Sequence, residues 1–251
     1  MKEFESFAAL IYVTDIEEKF VKTMYPWEEM SIEGDAQKYY RATTDGGKSI
    51  YAARQDEMGM TAAATLTMKL IDHFRPRYVI MPGIAAGAMD EDSNVQEYGD
   101  VLLASKVWNY SNGKYVPKER ASIIFGEIGF QPRPTCVTMP PELLAYLEKA
   151  VHCEQNQCYV HFGELTSGSA VVAIRSVMNA LATILPNTNG LEMEGYGVAY
   201  AASHATEPQP YAIIAKSICD FANDRKSDKY QRLAAYTSCE FVRMMLENVL
   251  E

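Results

Sequence analysis

The chain has 251 residues, of which 48% are hydrophobic, and a formal net charge of −10. This length and composition predict one domain, residues 1–251, with a sizeable core. The acidic balance and the lack of a Lys/Arg cluster argue against a nucleic-acid partner, and no apolar run is long enough to predict a membrane span. The N-terminus is acidic, unlike a signal peptide, and the five cysteines lack CxxC spacing. We therefore expect free thiols in a reducing cytoplasm.

The first predicted elements are a strand and a helix. Residues 8–13 are apolar and predict a buried strand, after which Thr14 or Asp15 can cap a helix. Glu17 and Glu18 fall in the first turn of that helix. They would either complement the helix dipole on a solvated face or take part in catalysis.

A second strand pattern leads into a turn of small residues. Ser49–Arg54 predicts a strand, and a helix follows from Met58 to about Phe74. Residues 77–81 predict the next strand, which runs into Pro-Gly-Ile-Ala-Ala-Gly-Ala at 82–88. Backbone N–H groups of such a turn can approach a ligand closely, although small-residue turns more often serve packing. The turn matches neither a Walker loop nor GxGxxG.

Strands and helices continue to alternate in the second half. Residues 99–108 predict a turn and a strand, and the Asn112-Gly113 pair predicts a hairpin. An amphipathic helix is predicted over 140–151, a strand over 159–165 and a helix over 172–185. The alternation predicts an α/β fold, a three-layer α/β/α arrangement around a central mixed, largely parallel sheet.

Carboxylates converge near the end of the chain. Residues 211–218 are apolar and predict a buried strand, and Asp220 follows it, where open α/β sheets bind ligands. Glu192 and Glu194 flank Met193 just before a helix predicted over 195–204. Neighbouring elements would thus deliver two carboxylates to one region. The last helix is predicted over 229–250.

Other catalytic patterns are missing. The four histidines show neither HxH nor HExxH spacing, so neither a metal nor another cofactor is expected. There is no GxSxG nucleophile motif. The pattern around Cys219 favours packing as a small apolar residue over nucleophilic attack.

Five motifs occur in order along the chain: Gly83-Ile-Ala-Ala-Gly, Gly99-Asp-Val, Ser167-Gly-Ser-Ala, Leu191-Glu-Met-Glu-Gly and Cys219-Asp. Together they resemble the purine nucleoside phosphorylase/nucleosidase superfamily over most of the chain. The sequence is most similar to the methylthioadenosine/adenosylhomocysteine nucleosidase branch and to nucleosidase-like domains of bacterial signalling and defence proteins. The resemblance implies a cytoplasmic homodimer that acts on a small purine nucleoside or nucleotide without a cofactor.

The resemblance also implies residue roles. Asp220 would protonate or hydrogen-bond the purine at N7, and its burial beside Ile218 would favour the protonated form. Glu194 would accept hydrogen bonds from the ribose hydroxyls, and Met193 would lie against the sugar. Glu18 is the predicted base that activates water, with Glu17 as the neighbouring alternative. The predicted binding set is completed by Glu192, Ser167, Gly168, Ser169, Ala170, Val171, Gly83, Ile84, Ala85 and Phe221. Val171 occupies the place where relatives put an aromatic ring under the base.

Several alternatives remain open for the nucleophile and for the 5′ substituent of the substrate. Bacterial hexameric phosphorylases carry an arginine two residues before the turn glycine and a serine just after it, where this chain has Met81 and Ile84. Since phosphate needs fixed cationic donors, hydrolysis by water is favoured. The alternatives are a phosphate-dependent phosphorylase, an AMP or ATP nucleosidase whose substrate phosphates contact Lys216, Lys114 or Lys226, and a purine-binding domain without catalysis.

Overall fold

A mixed β-sheet forms the centre of the fold in a computed structural model, which describes residues 3–89, 95–125, 128–225 and 227–251. The strands of these segments are β1 (Ser6–Tyr12), β2 (Glu28–Met30), β3 (Tyr39–Thr43), β4 (Ser49–Arg54), β5 (Pro76–Gly87), β6 (Val101–Asn109), β7 (Gly113–Pro117), β8 (Ile123–Phe125), β9 (Ile128–Pro132), β10 (Thr135–Thr138), β11 (Val160–Ser167), β12 (Thr188–Glu192) and β13 (Tyr211–Asp220). Strands β7, β9 and β8 form a small separate antiparallel sheet. The others form the central sheet.

Part of the central sheet closes on itself. Its order is β10-β6-β11-β12-β5-β1-β4-β3-β2, and β13 pairs with both β5 and β6. Strands β5, β13, β6, β11 and β12 therefore form a ring, with parallel pairs β5–β13, β6–β11 and β11–β12. At its carboxyl end β5 pairs Ala86 with Leu191 of β12 on one side and with Asp220 of β13 on the other. The carboxyl ends of three strands thus meet at one point.

Four of the six described helices cover the sheet in two pairs. The helices are α1 (Asp15–Met24), α2 (Met60–Phe74), α3 (Pro141–Val151), α4 (Arg175–Ile184), α5 (Gly195–Ser203) and α6 (Gln231–Asn248). Helices α1 and α6 pack together over β5 and β13, while α2 and α5 pack together on the other face. The three-layer α/β/α prediction is confirmed. Among the described helices, none combines the length and the apolar composition that a membrane span requires.

Local sequence accounts for the well-predicted elements. Strands β1 and β13 are buried along almost their whole length, which is why their sequences are continuous apolar runs rather than alternating patterns. Helix α1 begins at a capping box, in which the Thr14 hydroxyl accepts from the Glu17 N–H and the Glu17 carboxylate accepts from the Thr14 N–H. All five cysteines lie in the described segments, and no disulfide bond joins any two of them.

Three local predictions are wrong, and several strands were not predicted. The turn predicted at 82–88 is mostly strand, because β5 continues to Gly87 and pairs with β13 and β12. The Asn112-Gly113 pair does not join a hairpin with β6, since β7 pairs with β9 instead. Helix α4 begins at Arg175 rather than at residue 172. The short strand β12 was not predicted, because its sequence Thr-Asn-Gly-Leu-Glu has no strand-like alternation.

Candidate active site

A cavity of about 280 Å³ lies where β5, β12 and β13 end. Asp220 and Glu194 both line it, and only 4% and 6% of their surfaces are exposed. The two acids therefore line one pocket, as the sequence predicts. The other predicted residues in the lining are Ile84, Ala85, Ala170, Val171, Glu192 and Met193. The rest of the lining is Val13, Thr14, Glu17, Met58, Ala86, Val172, Leu191, Cys219, Asp228 and Gln231.

Glu192 serves as an anchor for the start of α5. Its Oε2 accepts hydrogen bonds from the backbone N–H groups of Glu194 (2.9 Å) and Gly195 (2.7 Å). Its Oε1 accepts from the Ser167 hydroxyl, which itself accepts from the Tyr196 N–H at 2.8 Å. These contacts join the ends of β11 and β12 to α5. Ser167 and Glu192 thereby fix the position of Glu194, the N-cap residue of that helix.

Glu194 projects from this N-cap into the cavity. Its Oε1 accepts the Gly59 N–H at 2.9 Å, and Gly59 is the N-cap residue of α2. Burial raises the pKa of Glu194 to about 7, although Lys216 acts in the opposite direction. The carboxyl group therefore exchanges its proton near neutral pH.

Lys216 supplies a buried positive charge beneath these acids. It lies on β13, is 1% exposed, and its Nζ is 3.7 Å from Glu194 Oε2 and 3.9 Å from Glu192 Oε2. Burial lowers the pKa of Lys216, but the nearby carboxylates of Glu17, Glu194 and Glu192 outweigh burial and raise it. Lys216 therefore stays protonated, and its charge offsets the three glutamates. It does not line the cavity, so the predicted phosphate contact lacks support.

Glu17, not Glu18, reaches the cavity. Glu17 Oε2 accepts the N–H groups of Val13 (3.0 Å) and Thr14 (2.9 Å), and its Oε1 accepts the Ile84 N–H at 3.0 Å. Glu18 points away and pairs with Lys22 at 2.8 Å and with Arg54 at 2.8 Å. The expectation that Glu18 faces the pocket is wrong, because adjacent positions on a helix point about 100° apart.

Four helices begin at the cavity. Thr14 and Glu194 are the N-cap residues of α1 and α5, Gly59 caps α2 beside Met58, and Gln231 is the first residue of α6. The N-terminal end of a helix carries a partial positive charge that stabilises anions. Together with Lys216, these helix ends let the fold hold several carboxylates around one small space.

Several predicted site residues lie outside the cavity lining. Gly83 is in β5, and its missing side chain leaves room for Glu17 and for Lys216 Nζ. Gly168 packs against the Tyr110 ring, and Ser169 bonds Ser111. Phe221 packs edge-on against Tyr98, with ring centroids 5.1 Å apart. Lys114 is exposed on β7, and Lys226 lies outside the described residues.

Sequence reasoning missed other parts of the lining. The missed residues lie in loops or at helix starts, where neither their polarity nor their position in the sequence marked them as cavity residues. They are Thr14, Met58, Asp228 and Gln231. Glu17 did have a signal, since Thr14-Asp-Ile-Glu17 matches the capping-box pattern. No group of His, Cys, Asp or Glu side chains in the described segments is arranged to hold a metal ion.

Comparisons with known proteins agree with this architecture. The chain is 25% identical to 5′-methylthioadenosine/S-adenosylhomocysteine nucleosidase of Maridesulfovibrio salexigens, over 95% of this chain and 97% of the relative. It is 27% identical to protein y4jS of Sinorhizobium fredii over 89% of this chain, which spans only 56% of that relative. The nucleosidase of Neisseria meningitidis in complex with methylthio-immucillin-A superposes with a TM-score of 0.77 at 18% identity, covering 96% of this chain and 99% of that one. A family model described as "Phosphorylase superfamily" matches residues 10–250, and the chain therefore belongs to that superfamily.

Proposed function

We propose that this protein hydrolyses the N-glycosidic bond of an adenine nucleoside and releases the free base. The observation that carries the proposal is the joint presence of Asp220, Glu194 and Glu17 around one cavity. Such a hydrolysis needs an acid that gives a proton to the departing purine, a hydrogen-bond acceptor for the sugar hydroxyls and a carboxylate that activates water. The names of relatives, methylthioadenosine/adenosylhomocysteine nucleosidases, support this class of substrate.

Asp220 is the proposed acid. As the bond between the sugar and the purine breaks, its electron pair passes to the purine, and Asp220 donates a proton to N7 so that the base leaves neutral. The Ala222 N–H donates to Asp220 Oδ1 at 2.9 Å and holds the carboxyl group. Apolar lining from Leu191, Ala170 and Val171 is suited to the flat faces of a purine.

Glu194 and Met193 are the proposed sugar-binding residues. The Gly59 N–H holds one oxygen of the Glu194 carboxyl group and so fixes the orientation of that group. In this orientation the carboxyl group can accept hydrogen bonds from the ribose hydroxyls. Met193 lies between the two glutamates in the lining and offers an apolar contact to the sugar. Since the pKa of Glu194 is about 7, substrate affinity is expected to rise as pH increases through neutrality.

Glu17 is the proposed base for water. A carboxylate has about four acceptor positions, and the N–H groups of Val13, Thr14 and Ile84 occupy three of them. The remaining position can accept a proton from a water molecule whose oxygen attacks the sugar carbon. Lys216 sits beside Glu17 near Gly83, and its charge keeps this carboxylate compatible with burial.

Water fits this cavity better than phosphate does. The described lining contains five acids, Glu17, Glu192, Glu194, Asp220 and Asp228, and no lysine or arginine. An inorganic phosphate or a 5′-phosphate would meet these carboxylates without a cationic partner in the lining. This argues for a nucleoside over AMP or ATP, and for hydrolysis over phosphorolysis.

A substrate panel tests the proposal. Adenine release would be measured from methylthioadenosine, adenosylhomocysteine, adenosine, AMP and ATP, with and without phosphate. We expect release from at least one uncharged 5′ derivative at a rate that phosphate does not change. Phosphate-dependent turnover or preference for AMP would contradict the proposal, and binding of adenine without turnover would indicate a purine-binding domain.

Adjacent glutamates provide a matched pair of variants. Glu17→Gln is expected to lower kcat by about 100-fold or more, since it removes the base, while Glu18→Gln should stay within about threefold. Asp220→Asn should lose a similar factor because it removes the proton donor. Equal effects at positions 17 and 18 would contradict the assignment of the base. Light scattering would test the predicted homodimer.

A further inference from the structure

Strand β13 contains a β-bulge at Cys219. Ile218 pairs with Ala85 and Asp220 with Ala86, so two steps along β13 correspond to one step along β5, and Cys219 is the extra residue. In a regular strand consecutive side chains point to opposite faces of the sheet. Here Cys219 and Asp220 both line the cavity. The bulge therefore turns two consecutive side chains towards the same space, as bulges beside active sites often do.

The Cys219 thiol contacts the proposed acid directly. Cys219 Sγ donates to Asp220 Oδ2 at 3.4 Å, while the Ala222 N–H donates to Oδ1. Cys219 is 4% exposed, so water does not compete freely for this contact. Both oxygens of the carboxyl group thus have a donor from the chain, one of them strong and one weak.

We propose that Cys219 is a positioning residue for Asp220, an inference that rests on the proposed function. A thiol is a weaker donor than a hydroxyl group. It can orient the carboxyl group while adding little stabilisation to the charged form that is left after Asp220 gives its proton to N7. A stronger donor at this position would stabilise the charged carboxylate more and so oppose the transfer of the proton to N7.

Other charged groups around Asp220 are unchanged by a substitution at Cys219. Among the described residues they include Glu17 from α1, Glu192 from β12, Glu194 at the start of α5, Asp228 before α6, Lys216 on β13 and Arg175 on α4, whose guanidinium donates to the Phe221 carbonyl at 3.3 Å. Their contribution to the pH profile is therefore common to every variant compared. A difference in pH profile between the unaltered protein, with a thiol at position 219, and Cys219→Ser, with a hydroxyl there, therefore reports the effect of that hydrogen-bond donor alone.

The test compares Cys219→Ser and Cys219→Ala with the unaltered protein, using Cys136→Ser at an exposed position as the control. For Cys219→Ser we expect the alkaline limb of kcat/KM to move to lower pH by roughly half a unit. For Cys219→Ala we expect kcat to fall about 3- to 10-fold at every pH, with KM within about twofold. Cys136→Ser should match the unaltered protein.

Two results would overturn the inference: a Cys219→Ser profile that superimposes on the unaltered one, or a Cys219→Ala variant with full kcat. Thermal melting checks that both variants are folded. An unaltered protein that releases no base from any substrate would refute the proposed function instead. Adenine binding measured against pH then tests Cys219 alone, and the same downward shift in Cys219→Ser supports its role, whereas identical curves refute it.

Discussion

Replacing Lys216 with methionine should destabilise the protein in a pH-dependent way. The substitution keeps the apolar stem but removes a 1% exposed cation from beside Glu17, Glu192 and Glu194. Removing one partner of a buried ion pair costs about 3–5 kcal/mol, because the remaining charges have lost their compensation. Glu194 can escape part of this cost by taking up a proton.

The pH dependence follows from the pKa of Glu194. Its folded pKa, about 7, lies above its unfolded value of 4.5. The stability that this group contributes is therefore complete below pH 4.5 and is lost as pH rises through 7. Without Lys216, which lowers the pKa of Glu194, that pKa rises further. We expect Lys216→Met to cost about 2 kcal/mol at pH 5.5, where Glu194 is mostly protonated, and about 4 kcal/mol at pH 8.

Urea unfolding at the two pH values measures this difference. Lys106→Met is the matched control, since Lys106 pairs with Glu164 at 2.9 Å but is 28% exposed. Its cost should be about 1 kcal/mol or less. Lys216→Arg, which keeps the charge, should recover part of the loss. A Lys216→Met cost that is the same at both pH values, or no larger than that of Lys106→Met, would refute the view of Lys216 as the counter-ion of the cluster.

Two further predictions concern the same cluster. Gly83→Ala should cost about 2–4 kcal/mol and lower kcat, because its Cβ would overlap the Glu17 carboxylate and lie 2.8 Å from Lys216 Nζ, at a φ of +154°. Gly46→Ala, whose Cβ would meet only Thr44 Oγ1 at 3.8 Å, is the control in the same unfolding assay. Glu194→Gln should flatten the fall in stability between pH 5 and pH 7.5, and an unchanged slope would exclude Glu194 as its source.

The first helix illustrates how far the sequence could be interpreted. The position of α1 and its capping residue follow from local chemistry, so both glutamates were correctly placed in its first turn. Which of them faces the cavity depends on where Arg54 and Ile84 lie, on strands far away in the chain. Only the capping-box spacing favoured Glu17, because its side chain must fold back towards Thr14.

The amino-acid sequence by itself determined the order of the helices α1 to α6 and of the strands β1, β4, β5, β6, β11 and β13. It also determined the buried character of β1 and β13 and the presence of acids after two neighbouring elements. Those features depend on residues that are close together in the sequence, so they can be inferred from the sequence without a structure. The tertiary structure alone decided that Lys216 is enclosed by three glutamates and that Cys219 shares the cavity with Asp220. Both depend on the pairing of β13 with β5, and a pairing register between distant strands is set by packing across the whole sheet rather than by local residue preferences.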